Sequence, residues 1–329
     1  MALGLNLLAN NKLTKKSNYK CANQMNKVVV NSWHQGELSV QKRAGTAQKM
    51  AEIGPKFIRE FMPLQHRDFF QSLSMIYIGY SDSKSETHAS LLFGVPGFIT
   101  SSSETTLQIN TQYSLNDFNN NHLNVGDRIG LLGIEFISKR RNRLNAVITD
   151  INQKNIKVKV LQSYGNCPKY IQPKKLLTNP HYDAQSTSST VSLTQNVREL
   201  IINADTFFIA SRFDDGQALN NRGVDISHRG GAAGFISINE KGQLLVPDYV
   251  GNGFFNTLGN LLENPIASLL FCDWQQGHAY QIAVSSEILW SEEYLQSDQV
   301  NTQQKTARTL CFTPIKIQKL TNSLAYQVI

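Results

Sequence analysis

The chain has 329 residues, a formal net charge of +7, and 41% hydrophobic against 17% charged residues. That is globular composition with room for two domains, and it excludes a disordered or fibrous chain. No apolar run approaches the roughly 20 residues of a membrane-spanning helix, and the N-terminal apolar patch precedes the lysines, the reverse of a signal peptide. Cys21, Cys167, Cys272 and Cys311 lie far apart, which argues against a zinc site or disulfide framework and for a reducing, cytoplasmic setting. The basic balance implies an anionic partner: a phosphate cofactor, nucleic acid or a membrane surface.

In chain order, residues 1–30 read as an arm. The stretch 37–53 has helical spacing and is expected to stop near Gly54-Pro55; 63–73 reads as a second helix with proline at its tolerated first turn. Short β-branched and aromatic runs follow at 75–80, 89–93, 106–110, 129–136 and 144–151, separated by Gly, Asp, Asn and Ser clusters. The polar stretch 178–190 lacks an apolar period and reads as a linker. Ser192 to Gln195 predicts a capping box opening a helix to Asn203. Strands are expected again at 206–210, 224–228, 243–247, 267–273 and 280–289. A helix at 253–263 stops before Asn264-Pro265, because the residue ahead of proline disfavours the α region.

The second set of elements repeats the first. Ser90, Gly94, Gly97 and Phe98 align with Ser227, Gly231, Gly234 and Phe235 at an offset of 137 (234 − 97). The same offset aligns Ile129 with Ile266 and Ala146-Val147 with Ala283-Val284. An internal repeat of short strands predicts two closed or nearly closed antiparallel barrels. The expected fold is mainly β with flanking helices: a first domain over 31–177, the linker, and a second over 191–329, related by a pseudo-twofold axis.

The repeat fails where the charge lies. Ser227-His228-Arg229 stands where the first copy has Ser90-Leu91-Leu92, and Lys139 to Arg143 stands where the second copy has Gln276 to Tyr280. One basic cluster from each copy could face a single anionic ligand, since an unpaired buried cation is costly. The blander readings are a solvated hairpin turn for 139–143 and an exposed strand end for His228-Arg229. No P-loop, dinucleotide fingerprint or nucleophile elbow is present. Cys167 beside Pro168 is a reactive thiol or, more simply, a small hydrophobe at a turn.

The order Val224 to Gly231, Gly234-Phe235, the strand at 244–249, Asn256-Thr257-Leu258-Gly259-Asn260 and Asn264-Pro265-Ile266-Ala267 resembles the FMN-binding split barrel, nearest to the pyridoxamine 5′-phosphate oxidase-related proteins. The first copy resembles it through Trp33 to Leu38, His66 to Phe70, 89–98, 140–145 and 162–172. The resemblance implies tandem split barrels forming a pseudo-dimer with FMN between them. It places Ser227, His228, Arg229, Asn256 and Thr257 at the phosphate, Arg141, Arg143 and Asn145 on the opposite wall, and Asp225, Pro247 and Asp248 near the flavin edge. Duplication and the missing C-terminal substrate-arginine motif set the chain apart from true pyridoxamine 5′-phosphate oxidases. The implied function is an FMN-dependent oxidoreductase acting on a small-molecule substrate or an NAD(P)H donor, without nucleic acid or membrane. A homodimer of pseudo-dimers is the corresponding assembly. The alternative is a non-catalytic flavin- or haem-binding module.

Overall fold

A computed structural model of the chain describes residues 32–111, 113–114, 123–152, 155–183, 188–291 and 306–328. The arm expected over 1–30 lies outside them. Among the described residues no helix is long and apolar enough to cross a membrane.

The described chain opens with α1 (Gln35–Arg43), α2 (Ala47–Phe57) and α3 (Leu64–Ser72). The single helix expected over 37–53 is therefore two. Gly45, at φ +70°, ends α1, because a left-handed residue breaks the helical path and glycine takes it without strain. α2 then runs through Gly54-Pro55, since a proline one turn from the end removes one bond while Ile58 N–H still reaches Gly54 O at 2.9 Å. A Cβ at Gly54 would lie 2.9 Å from the Trp33 indole, so this turn is seated on that ring.

Strands β1 (Met75–Ser81), β2 (Thr87–Phe93), β3 (Ile99–Ser103), β4 (Thr106–Asn110), β5 (Tyr113–Ser114), β6 (Arg128–Glu135), β7 (Arg140–Ile151) and β8 (Asn155–Gly165) form one antiparallel sheet in the order β3-β4-β8-β7-β6-β1-β2-β5. After β9 (Leu176–Thr178), β10 (Ser188–Val191) and α4 (Gln195–Asn203) come β11 (Thr206–Phe213), β12 (Gly223–Gly230), β13 (Ser237–Ile238) and β14 (Leu244–Pro247). The chain continues through α5 (Asn256–Glu263), β15 (Ile266–Asp273), β16 (His278–Trp290), β17 (Arg308–Leu320) and β18 (Tyr326–Val328). The second sheet runs β13-β14-β17-β16-β15-β11-β12, the same path strand for strand up to β5. Among the described residues no ladder joins the first strand of either sheet to its last, so neither closes by hydrogen bonds.

Several details depart from the sequence expectation, among them the strands β3 and β8, which it did not include. The C-terminal region carries β17, a central strand of the second sheet that pairs with β16 and β14. The ends of the expected linker belong to strands, with β9 paired to β18 and β10 to β17. The capping box is not formed: α4 starts from Thr194, whose side chain caps nothing.

The offset of 137 holds at the turn after β2 and fails by one residue further on. Gly97 and Gly234 share positive φ (+95° and +88°), and their N–H groups bond Gln71 O and Ile202 O at the matching helix ends. In the ladders, however, Ile78 faces Leu131 and Ile209 faces Leu269. Ile129 therefore matches Ala267, not Ile266. Ile266 is 38% exposed while Ile129 and Ala267 are buried, because a one-residue slip moves a side chain to the opposite face.

Each sheet covers its own core, one around Ile76, Leu131 and Val158, the other around Phe207, Leu269 and Phe312. A third cluster lies between the sheets and takes Tyr77, Leu91 and Leu132 from one and Phe208, Ile226 and Leu270 from the other. At its centre Tyr77 and Phe208 stack with centroids 3.5 Å apart. They occupy the same place on β1 and β11, and the matching pair Gly79 and Ala210 also meets there. Likewise, β6 packs on β12 while β15 packs on β2.

Candidate functional site

Side chains two apart on a strand share a face, so the β7 residues Arg141 and Arg143 point the same way. Arg140, between them, turns outward over the Phe69 ring and bonds Gln65 O at 2.6 Å. Thus 139–143 is only in part a solvated turn: Lys139 is exposed, but Arg143 is buried and Arg141 half-buried. Both reach toward Ser227 and His228 on β12 of the other half. The start of α5 completes the wall. Its N-cap, Phe255, is left-handed (φ +61°) and supplies no side-chain cap, so the first-turn N–H groups keep the positive character of a helix N-terminus. The resulting cleft takes in about 890 Å³ of space, much of it open to solvent.

Of the residues expected at the site, Arg141, Arg143, Ser227, His228, Arg229, Pro247, Asp248, Asn256 and Thr257 line this cleft. Asp225 and Asn145 do not. Asp225 is buried behind Arg143 (3.7 Å), accepting from Asn145 Nδ2 at 2.6 Å and Asn260 Nδ2 at 3.0 Å. These two brace the wall, because a buried carboxylate must be paired and hydrogen-bonded to persist.

The cations differ in what neutralises them. Arg143 has Asp225 as its counterion and donates to Tyr164 Oη at 3.0 Å and to Ser227 Oγ. Arg229 donates to Asp248 Oδ1 at 2.7 Å, and Arg308 holds the other oxygen at 2.9 Å. Arg229, expected at the phosphate, therefore already has a carboxylate partner through Nη1, while its buried Nε has none among the described residues. Arg141 has no acidic partner among the described residues. One amino group meets His228 Nδ1 at 2.9 Å and its buried Nε has no partner. Burial first, then Arg143 and Arg229, lower its pKa to about 10. Among the described residues, then, this guanidinium is the one of the three cleft arginines with no carboxylate partner.

His228 is kept neutral. It is buried beside Arg141, Arg229 and Lys174, which together with desolvation hold its pKa well below the usual value. Arginine only donates, so Nδ1 must accept and Nε2 carries the proton. Gly230 shapes the rim: a Cβ there would overlap Tyr170 O, so only glycine lets that loop close against β12. Tyr170 in turn stacks on Tyr249 at 5.0 Å.

Glu37, Tyr164 and Arg308 escape sequence reasoning as parts of the site. Asn256 Nδ2 donates to Glu37 Oε1 at 2.5 Å and Tyr164 Oη donates to Asn256 Oδ1 at 3.2 Å. Partners this remote in sequence carry no local signal. Burial, then Asp225, push the Glu37 carboxyl up to about 8 against the pull of the His34 and Asn256 N–H donors.

The pseudo-symmetric position is filled. Leu91 and Phe93 replace His228 and Gly230, Ala279 replaces Arg141, and Leu324 and Tyr326 pack over them. Gln281, opposite Arg143, donates to Ala89 O at 2.9 Å. The anion-receiving arrangement therefore occurs once among the described residues.

His34, the N-cap of α1, stacks on Phe213 and contacts Asn260 Oδ1 at 2.9 Å. Burial lowers its pKa to about 4, and burial with Arg59 and Arg140 does the same for His66. A depressed histidine favours the neutral folded state above the unfolded value of 6.5, and that contribution fades as pH falls toward 4. At about 1.36 kcal/mol per unit, the expected loss is a few kcal/mol. Urea unfolding at about pH 7 and pH 4.5 checks it: His34→Asn should show a shallower decline, and an equal decline would acquit His34.

No protein-family model matches the chain, and no curated protein matches it. Among solved structures it is similar to a point variant of HupZ from Group A Streptococcus (14% identity, covering 39% of this chain and 100% of that one, TM-score 0.30). It is likewise similar to a putative pyridoxamine 5′-phosphate oxidase from Lactobacillus delbrueckii (14%, 38% and 92%, 0.29) and an FMN-binding protein from Syntrophomonas wolfei (14%, 37% and 82%, 0.24). Likeness at this level carries no functional argument.

Proposed function

We propose that the chain is a duplicated split barrel of the pyridoxamine 5′-phosphate oxidase-related type that binds one FMN in the cleft and serves as an oxidoreductase. The observation that supports this is Arg141, a half-buried guanidinium without a carboxylate, on the same cleft as the uncapped start of α5. The donor set fits a phosphate: Arg141, the Ser227 hydroxyl and the α5 N–H groups, with Thr257 donating to Ser227 Oγ behind it. Leu132, Phe235, Pro247 and Tyr249, on the same lining, offer surface suited to an aromatic ring system. FMN would supply the electron transfer, while the protein holds and orients it. Arg143 and Asp225 keep the charge at the wall balanced, and His228 keeps Arg141 directed without competing for the anion.

The haem alternative fits less well. An iron-ligating histidine offers one nitrogen to the metal and donates from the other, whereas His228 Nδ1 is held as an acceptor by Arg141. Titration of the apoprotein with FMN, followed by flavin fluorescence, should saturate at one equivalent per chain. Two equal equivalents, or no binding, would overturn the reading; a Soret band on haem addition with no flavin uptake would favour the haem module. A donor screen on the loaded protein then separates NADH, NADPH and protein donors.

A further inference from the structure

We propose that the β1–β2 hairpin carries a site for a divalent transition-metal ion of the zinc type, with the carboxylates of Asp82 and Glu86 and the imidazole of His88 as its protein ligands. One ligand atom from each lies within 4.8 Å of the other two. None of the three lines the cleft, so the site stands apart from the phosphate reading. Cysteine spacing does not register it, because none of the three is cysteine.

The hairpin puts these side chains on one face. Tyr80 faces His88 across the ladder, and Asp82 N continues it to Glu86 O at 3.0 Å. Side chains alternate along a strand, so Tyr80, Asp82, Glu86 and His88 share one side while Ser81 and Thr87 turn to the other. Two of the ligands are held in place. Asp82 Oδ1 accepts from Lys84 N and Glu86 N at 2.9 Å each, which fixes the carboxylate and leaves Oδ2 facing His88 Nε2 at 3.1 Å. The His88 ring stacks on Tyr80 with centroids 5.1 Å apart. The Asp82 and His88 side chains are 8% and 21% exposed, while Glu86 is exposed and has room to swing in.

An ion about 2.0–2.2 Å from each ligand sets neighbouring ligand atoms roughly 3–3.5 Å apart. The 3.1 Å between Asp82 Oδ2 and His88 Nε2 is already that separation, so Glu86 alone has to close in. Two carboxylates balance a dication. The imidazole nitrogen selects a zinc-like ion over calcium or magnesium, which take oxygen ligands. Turn formation does not account for the trio. By the ladder match that sets Ser81 and Thr87 on Arg212 and Val224, the corresponding residues of the second half are Phe213, Gly223 and Asp225. That connection is closed instead by Arg222 on the Asp215 carboxylate, at 2.9 Å to each oxygen.

The test is calorimetric titration of the full chain with Zn²⁺, with melting temperatures read in the presence and absence of the ion. Wild type should bind one equivalent at this site with a dissociation constant in the micromolar range, and should melt higher when it is bound. Glu86→Gln removes an exposed carboxylate. His88→Phe keeps a ring against Tyr80 and removes the nitrogen. Each should weaken that equivalent by about tenfold to a hundredfold or more and cancel the Zn²⁺-dependent rise in melting temperature. A His88–Asp82 hydrogen bond that only closes the hairpin would instead make His88→Phe melt lower with or without Zn²⁺, and leave Zn²⁺ uptake as in wild type. Should His88→Phe fail to fold, Glu86→Gln carries the same test from an exposed position. No Zn²⁺ uptake by wild type, uptake that neither variant weakens, or a preference for Ca²⁺ or Mg²⁺ overturns the proposal. None of these outcomes alters the FMN titration, which stands or falls by itself.

Discussion

Replacing Arg141 by leucine is expected to weaken FMN binding by roughly 1.5–3 kcal/mol, about tenfold to a hundredfold or slightly more, and to leave riboflavin close to its wild-type affinity. The selectivity follows from the charge balance. Arg143 has Asp225, while Arg229 and Arg308 share the single carboxylate of Asp248, so a phosphate adds less at these arginines than at Arg141, which has no carboxylate partner among the described residues. Arg141 gains a counterion only when an anion arrives. Its removal also spares the free protein a costly buried charge, so Arg141→Leu should unfold at an equal or higher temperature than wild type. Arg229→Leu is expected to do the reverse, losing stability through Asp248 and showing a smaller FMN-specific loss. Dissociation constants of both flavins, with melting temperatures, decide between the two arginines. A larger FMN-specific loss at Arg229 than at Arg141 would restore the sequence-based assignment.

Gly259→Ala is expected to destabilise the protein by about 3 kcal/mol or more, the upper range for overpacking. An exposed glycine inside a helix normally gains about 1 kcal/mol on becoming alanine, so even the sign distinguishes this site. The added Cβ would lie 2.5 Å from Glu37 N and 2.7 Å from its Cα. These are backbone atoms, and no rotamer change relieves them; α1 must lift from α5. Because Asn256 starts α5 and bonds Glu37, the shift should also slacken the cleft wall and weaken FMN. Gly165→Ala serves as the control, since its nearest atom would be Asn142 Oδ1 at 3.6 Å. Denaturant unfolding of the two variants reads the difference, and equal stabilities would mean that the helices are not in contact there.

Strand positions were legible because the relevant signal is local. Runs such as 75–80 and 206–210 are apolar, β-branched or aromatic, and bounded by turn formers, whatever they pack against. The alignment of Gly97 with Gly234 was legible for the same reason, and the structure gives both a positive φ, which selects glycine. β17 was not legible, because Arg308–Leu320 mixes Pro314, Lys316 and Lys319 with its apolar residues. Only pairing with β14 and β16 makes it a strand. The slip that sets Ile129 against Ala267 was equally hidden: alignment scores residue identity, while register is decided by which face each residue buries.

The same division runs through the site. From the sequence alone came the two basic clusters and the expectation that they meet, because charge that breaks a repeat can be seen without coordinates. Which arginine lacks a counterion was decided only by tertiary structure. Asp248 lies 19 residues from Arg229 and 60 from Arg308, and Asp225 lies 82 residues from Arg143 (225 − 143). Glu37 reaches Asn256 across 219 residues. Electrostatic pairing depends on distance in space and on burial, and no periodicity along the chain records either one.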